Sequence, residues 1–196
     1  MRRALFLATM VVAMTATPVA AGTRFTYRFP VIGHSSFGPV GSHSDYPAAD
    51  IIANCGLPVV SPVDGVVLEV SRVDLWAQGI RNRSTRGGLF VSIKGVDGVR
   101  YYGSHLSVVL DGIEAGSPVV AGQQVGNVGR TGRAGACHLH FGISPVCAGV
   151  GDWWIRRGVV WPQPFLRSWK RADLEDRSPR RAVRLWFEAN GCPPQP

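Results

Sequence analysis

The residues best equipped for chemistry sit in one short run, Cys137-His138-Leu139-His140-Phe141-Gly142-Ile143. Leu139, Phe141 and Ile143 fall on one parity, and His138 and His140 on the other. Successive side chains of a β-strand alternate faces, so this pattern sends the apolar residues into a core and both imidazoles to the opposite face. Residues two apart in a strand lie roughly 6.5–7 Å apart. Two ring nitrogens can therefore converge on one small site, one as a metal ligand and the other as a proton handler. An isolated His-x-His is more often a pair of surface histidines, so the reading depends on what the rest of the chain brings to it.

A chain of 196 residues is about one domain. Its 24 glycines and 14 prolines point to many turns and short strands rather than long helices. Phe25, Tyr27 and Phe29 alternate as a strand, and His34 falls in the Gly/Ser-rich loop that follows. Ile51-Ile52 begins a strand after a turn at Pro47. Val59-Val60 and Val66-Val67-Leu68 read as strands joined by a tight hairpin at Asp64-Gly65, and Leu89–Ile93 and Val99–Tyr102 as a second pair joined at Asp97-Gly98. Residues 74–88, with Arg81, Arg83 and Arg86, form a polar loop too long for a simple turn, a kind that often serves function. No stretch between 25 and 146 has a convincing helical period. The expectation is an all-β fold, a compact and mostly antiparallel β-sandwich.

The N-terminus has Arg2 and Arg3, an apolar run from Ala4 to Met14, then Val19-Ala20-Ala21. It reads as a secretory signal peptide, residues 1–21, cut after Ala21. No later stretch approaches the roughly 20 apolar residues of a membrane span. The expected location is therefore secreted, at the cell wall. In an oxidising compartment four cysteines suggest two disulfides. Cys137 with Cys147 would staple the turn after the His-x-His strand, leaving Cys55 with Cys192, although four cysteines allow three pairings. The formal charge of +8 becomes +6 without Arg2 and Arg3. A basic exported protein is drawn to anionic surfaces such as cell-wall polymers. No nucleic-acid-binding motif is present.

Four ordered motifs, HSDYPAAD, GLPVVSPVDGVV, YYGSHLS and GSPVVAGQQVGNVGRTGRAGACHLHFGI, span roughly residues 40–145. Together they resemble the lysostaphin-type (LytM-like) zinc metallopeptidases, peptidoglycan-cleaving enzymes of the duplicated hybrid motif (barrel-sandwich hybrid) fold. The resemblance implies Zn2+ held by His43, Asp50 and His140, with His105 and His138 as the catalytic histidines beside the reacting water and carbonyl. Such a zinc keeps an open position for water, lowers that water's pKa towards ~7 and polarises the scissile carbonyl. The family's usual spacing is His-x-x-x-Asp, whereas six residues separate His43 from Asp50 here and Tyr46 stands at the fourth position before Asp50. An enlarged loop must deliver His43.

The domain is expected over residues 22–146, followed by a Trp/Pro/Arg-rich extension over 147–196 packed on it. That extension should run extended and then form one short helix from about Ser178 to Ala189, with Leu185 and Trp186 facing inward. It holds five of the six tryptophans, and its basic residues offer contact to anionic wall polymers. The favoured function is a secreted zinc metallopeptidase cutting an amide bond in peptidoglycan stem peptides or cross-links. The alternative is a degenerate, zinc-free relative that binds wall or a partner hydrolase and regulates it. A lipoyl- or biotin-carrier module, suggested by SPVDGVV and AGQQVG, lacks the lysine its tight turn needs, since the only lysines are Lys94 and Lys170.

Overall fold

The computed structural model describes residues 24–195 apart from residues 44, 80, 148–150 and 172–176. The expected signal peptide lies outside the described residues. Nine strands form the body: β1 (Ser35–Phe37), β2 (Ala49–Ala53), β3 (Pro58–Val60), β4 (Gly65–Ser71), β5 (Leu89–Gly95), β6 (Val99–Val109), β7 (Pro118–Val119), β8 (Gln124–Val128) and β9 (His138–Pro145). Every ladder among them is antiparallel, as the all-β reading expects. The main sheet runs β1-β2-β9-β6-β5-β4-β7, and β3 joins it through β8, which pairs with β6.

The alternation on β9 sets the core. Leu139, Phe141 and Ile143 pack with Ile51 of β2, Val91 and Ile93 of β5, Leu106 of β6, and Val59, Val125 and Val128 of the β3–β8 pair in one buried cluster. Burying each such side chain contributes about 1.5–3 kcal/mol. A one-residue slip of β9 would exchange these residues for histidines, so the register is strongly specified.

β6 pairs with β5 along one edge and changes partner along the other. Residues Val99 to Ser104 pair with β9, and Leu106 to Val109 with β8. The changeover falls at His105, whose φ of 66° is the only positive value at a non-glycine among the described residues. That left-handed conformation costs roughly 1–2 kcal/mol.

Two local expectations give way. Val59-Val60 and Val66–Leu68 lie on strands that do not form a hairpin: β3 pairs with β8, and β4 with β5 and β7. Pro62 has no N–H to continue a ladder, and the Asp64 carboxylate instead accepts from Ala121 N–H at 2.7 Å. The second hairpin, at Asp97-Gly98, forms as expected, with Lys94 opposite Arg100. Phe25–Phe29 runs without strand pairing of its own; Tyr27 instead stacks on Trp169 at 5.1 Å.

The C-terminal residues carry three helices rather than one: α1 (Trp153–Arg156), α2 (Gln163–Arg171) and α3 (Arg180–Asn190). Pro162 and Pro164 favoured an extended reading, yet proline is tolerated in a helix's first turn. Leu166 and Trp169, three apart on α2, are buried in the core cluster. On α3 the inward residue is Val183, whereas Leu185 is 51% exposed. Buried ion pairs fix α1 to the sheet, Asp152 to Arg100 of β6 and Arg156 to Glu69 of β4. Among the described residues no helix is long and apolar enough to cross a membrane.

The disulfides pair differently from the favoured expectation: Cys55 with Cys137, and Cys147 with Cys192. The sheet register explains the first. Ile52 lies opposite His138 in the antiparallel β2–β9 ladder, so the residues after β2 and before β9 leave at the same end, and the two Cα atoms come within 5.3 Å. The second ties the end of β9 to the end of α3.

Candidate metal centre and active site

Two ladders place the strand-borne residues. Asp50 on β2 lies directly opposite His140 on β9, and His140 lies opposite Ser104 on β6. His105 follows Ser104, and its left-handed backbone marks the turn from one ladder to the next. Asp50 Oδ1 stands 3.1 Å from His140 Nδ1 and 3.8 Å from His138 Nε2. The rings of His105 and His138 are 4.6 Å apart between centroids. His43 comes from the loop before β2. Its ring lies 5.2 Å from that of His140, and ligand atoms of His43, Asp50 and His140 all lie within 4.8 Å of one another. The six-residue spacing is thus bridged, because the loop folds back and Tyr46 O accepts from His43 Nδ1 at 3.1 Å. All five residues singled out in the sequence come together, and they line one cavity of about 460 Å³.

Each of the four imidazoles has one nitrogen against a backbone carbonyl. His43 Nδ1 faces Tyr46 O, His105 Nδ1 faces Thr131 O at 2.8 Å, His138 Nδ1 faces Ala136 O at 2.9 Å, and His140 Nε2 faces Arg157 O at 2.9 Å. A carbonyl can only accept, so that nitrogen carries the proton and the other of a neutral ring is a free lone pair. His43 Nε2 and His140 Nδ1 are then acceptors, like the Asp50 carboxylate they adjoin. Three acceptors in one place would be balanced by a cation among them. A tetrahedral ion with bonds of about 2.0–2.1 Å keeps its ligand atoms about 3.3 Å apart, close to the 3.1 Å between Asp50 and His140. The donor set fits a zinc site of two nitrogens and one oxygen with an open fourth position.

The electrostatics follow from burial. Desolvation, then the charges of His140 and His138, push the His105 pKa down to about 3. Burial, followed by the His140 charge, also lowers that of His43. Burial raises the Asp50 carboxyl, but the adjoining His140, followed by His138 and His43, outweighs it and brings it to about 2. At neutral pH His43 and His105 are thus uncharged and Asp50 is ionised.

The surrounding loops are built for this. Thr131 Oγ1 donates to Leu106 O at 2.7 Å and accepts from Leu89 N–H at 3.0 Å, while its carbonyl holds His105. Gly129 lets that loop lie against β6, since a Cβ there would collide with Ser107 N and reach 2.7 Å from His105 O. The His-bearing face of β9 is also not open to solvent, as an alternating strand alone suggests: His140 is 4% exposed. The turn after α1 covers it, with Arg157 stacked 4.0 Å above the Tyr46 ring. Arg157 escaped sequence reasoning because its partner in function is 17 residues away across a fold boundary that no local pattern marks. Arg83 and Arg86 reach the cavity from the long polar loop, the one signal for them, and Arg133 from the loop after β8.

Residues 45–150 match Peptidase family M23. The chain belongs to that family. With the L-Ala–D-Glu endopeptidase of Bacillus subtilis (strain 168) the M23 chain shares 29% identity over 169 residues, covering 83% of this chain and 46% of that protein. It thus spans about half the length of the curated relative it matches. Among solved structures, the catalytic domain of the antimicrobial peptidase lysostaphin from Staphylococcus simulans is 26% identical with a TM-score of 0.50, over 69% of this chain and 91% of that domain. Lysostaphin itself, 24% identical with a TM-score of 0.51 over 78% of this chain and 55% of that one, shares the fold.

Proposed function

We propose that this M23 chain is a secreted zinc-dependent endopeptidase that hydrolyses an amide bond in peptidoglycan stem peptides or cross-links. The observation that carries the reading is the convergence of unprotonated His43 Nε2, unprotonated His140 Nδ1 and the Asp50 carboxylate beside two further imidazoles. His43, Asp50 and His140 would hold the ion, and bound zinc would polarise the scissile carbonyl and make water a nucleophile near neutral pH. His105 and His138 handle protons. Each has an unprotonated Nε2, because its Nδ1–H is engaged by a carbonyl. The depressed pKa of His105 makes it a poor proton acceptor, which leaves the water's proton to His138. That proton then passes to the leaving amine, while the His105 Nε2 lone pair would accept a hydrogen bond from the attacking water and orient it. The peptidoglycan substrate rests on the named activity of the Bacillus subtilis relative.

The test is zinc stoichiometry on purified residues 22–196, with release of soluble peptides from purified peptidoglycan measured before and after chelation. The expected result is about one zinc per chain, activity lost to chelator and restored by zinc. A folded protein with no zinc and no cleavage would instead fit the regulatory, wall-binding alternative.

A further inference from the structure

The cavity beside the candidate metal centre is walled by arginines from three separate segments. Arg83 and Arg86 come from the 3₁₀ turn at Arg83–Gly87, Arg133 from the loop after β8, and Arg157 from the turn after α1. The 3₁₀ turn and the loop are joined by Arg133 N–H donating to Arg86 O at 2.8 Å. Burial lowers the Arg157 pKa, and the nearby Arg83 and Arg86 charges add to that against the opposing pull of Tyr46 and Asp45. Arg157 Nε is also buried with no hydrogen-bond partner among the described residues. A fifth arginine on the wall, Arg156, is engaged by Glu69. The carboxylates lining the same cavity are Asp45 and Asp50, and Asp50 faces the histidines. Crowding four like charges around a concave site is unfavourable in the empty protein and becomes favourable when an anion enters. Guanidinium groups in such a fork match carboxylates two bonds at a time.

We propose, building on the peptidase reading, that this site selects acidic peptides: the amide presented to the histidines is flanked by free carboxylates that Arg83, Arg86, Arg133 and Arg157 hold. A peptide fits the observations better than a polymeric polyanion because the charges line a pocket of limited volume rather than a stripe along the surface. Selection by charge would make carboxamidation of the substrate a block to cleavage. A neutral peptide of the same length would be a poor substrate.

The test compares a soluble peptidoglycan stem peptide dimer with its carboxylates free against the same dimer carboxamidated. The expected kcat/KM is about 10-fold or more lower for the amidated form, the size of a lost charge-assisted contact. In Arg83→Gln/Arg86→Gln and in Arg133→Gln, all exposed or half-buried positions, the free-acid rate should fall until the two forms lie within about threefold. Equal rates for the two forms with wild-type protein overturn the proposal. If neither form is cut, the peptidase reading fails, and calorimetric binding of the same two dimers decides the charge preference: tighter binding of the free acid by about 10-fold, lost in the arginine variants, supports it, and equal or absent binding overturns it.

Discussion

Two kinds of support meet at the candidate active site. Asp50, His138 and His140 stand on β2 and β9, where the ladder fixes Asp50 opposite His140 and Ile52 opposite His138. The carbonyls that set the proton positions come from elsewhere: Tyr46, Thr131, Ala136 and Arg157 all lie on loops or turns. Strands place three of the four rings, the loop before β2 places that of His43, and loops and turns choose all four tautomers. A correctly placed imidazole with the wrong nitrogen protonated is no ligand, so chemistry depends on both.

The largest effect expected from breaking this division is at the strand-borne ligand. His140→Ala should leave less than about 0.1 zinc per chain and lower peptidoglycan cleavage by roughly 10³-fold or more, since three protein ligands are the usual complement of a catalytic zinc. His43→Ala removes the loop-borne ligand. It should weaken zinc strongly as well, and a variant that retains wild-type zinc and activity would show that the enlarged loop contributes nothing to the metal.

Next in size is the pair beside the proposed metal site. His138→Ala and His105→Ala should each keep about one zinc per chain while kcat falls roughly 10²–10⁴-fold, the range of a lost general acid or base. Metal analysis alongside steady-state kinetics separates these variants from the ligand variants. Loss of zinc in either would move that histidine into the ligand set.

A smaller effect tests the loop contribution without touching any ligand. Gly158 has φ 126°, and a Cβ there would collide with Pro47 O in the loop that carries His43. Gly158→Ala should displace the Arg157 carbonyl from His140 and lower zinc affinity about 10–100-fold, the usual range for outer-shell partners. Competition with a chelator of known affinity measures it, and unchanged affinity would mean that β9 alone orients His140.

The same division explains what the sequence made legible. The period-2 run through Leu139, Phe141 and Ile143 announced a strand, its core face and two histidines opposite, because alternation is a local property. The hairpin at Asp97-Gly98 was legible for the same reason, and the one at Asp64-Gly65 misled because Pro62 breaks the ladder that the turn signal suggests. The long loop advertised its arginines but not their destination. Nothing local reports that residues after 150 close over His140, or that Cys137 meets Cys55 across the β2–β9 register. Those are consequences of which strands become neighbours, and adjacency of distant strands is not written in either strand alone.

The smallest effect concerns acid stability of the zinc-free protein. His105 is held at about 3 in the folded chain against an ordinary 6.5, by burial and the neighbouring histidine charges. Between pH 6.5 and 3 the unfolded chain therefore takes up a proton at this position that the folded chain refuses. Stability is full above pH 6.5 and declines as the pH falls, by at most a few kcal/mol, levelling near pH 3. His43, whose pKa is also lowered, adds a loss of the same sign. Asp50, at about 2 against 3.8, contributes stability above pH 3.8 that is lost as the pH falls towards 2; its partial exposure keeps that share smaller through solvent screening. Urea unfolding in chelator at pH 7, 5 and 3.5 reads the first window. His105→Gln, which keeps a polar side chain and cannot take up the proton, should lose less stability between pH 7 and 3.5 than wild type does. Parallel losses in the two proteins would mean that the acid sensitivity lies in the sheet's carboxylates and not in a histidine kept neutral by its surroundings.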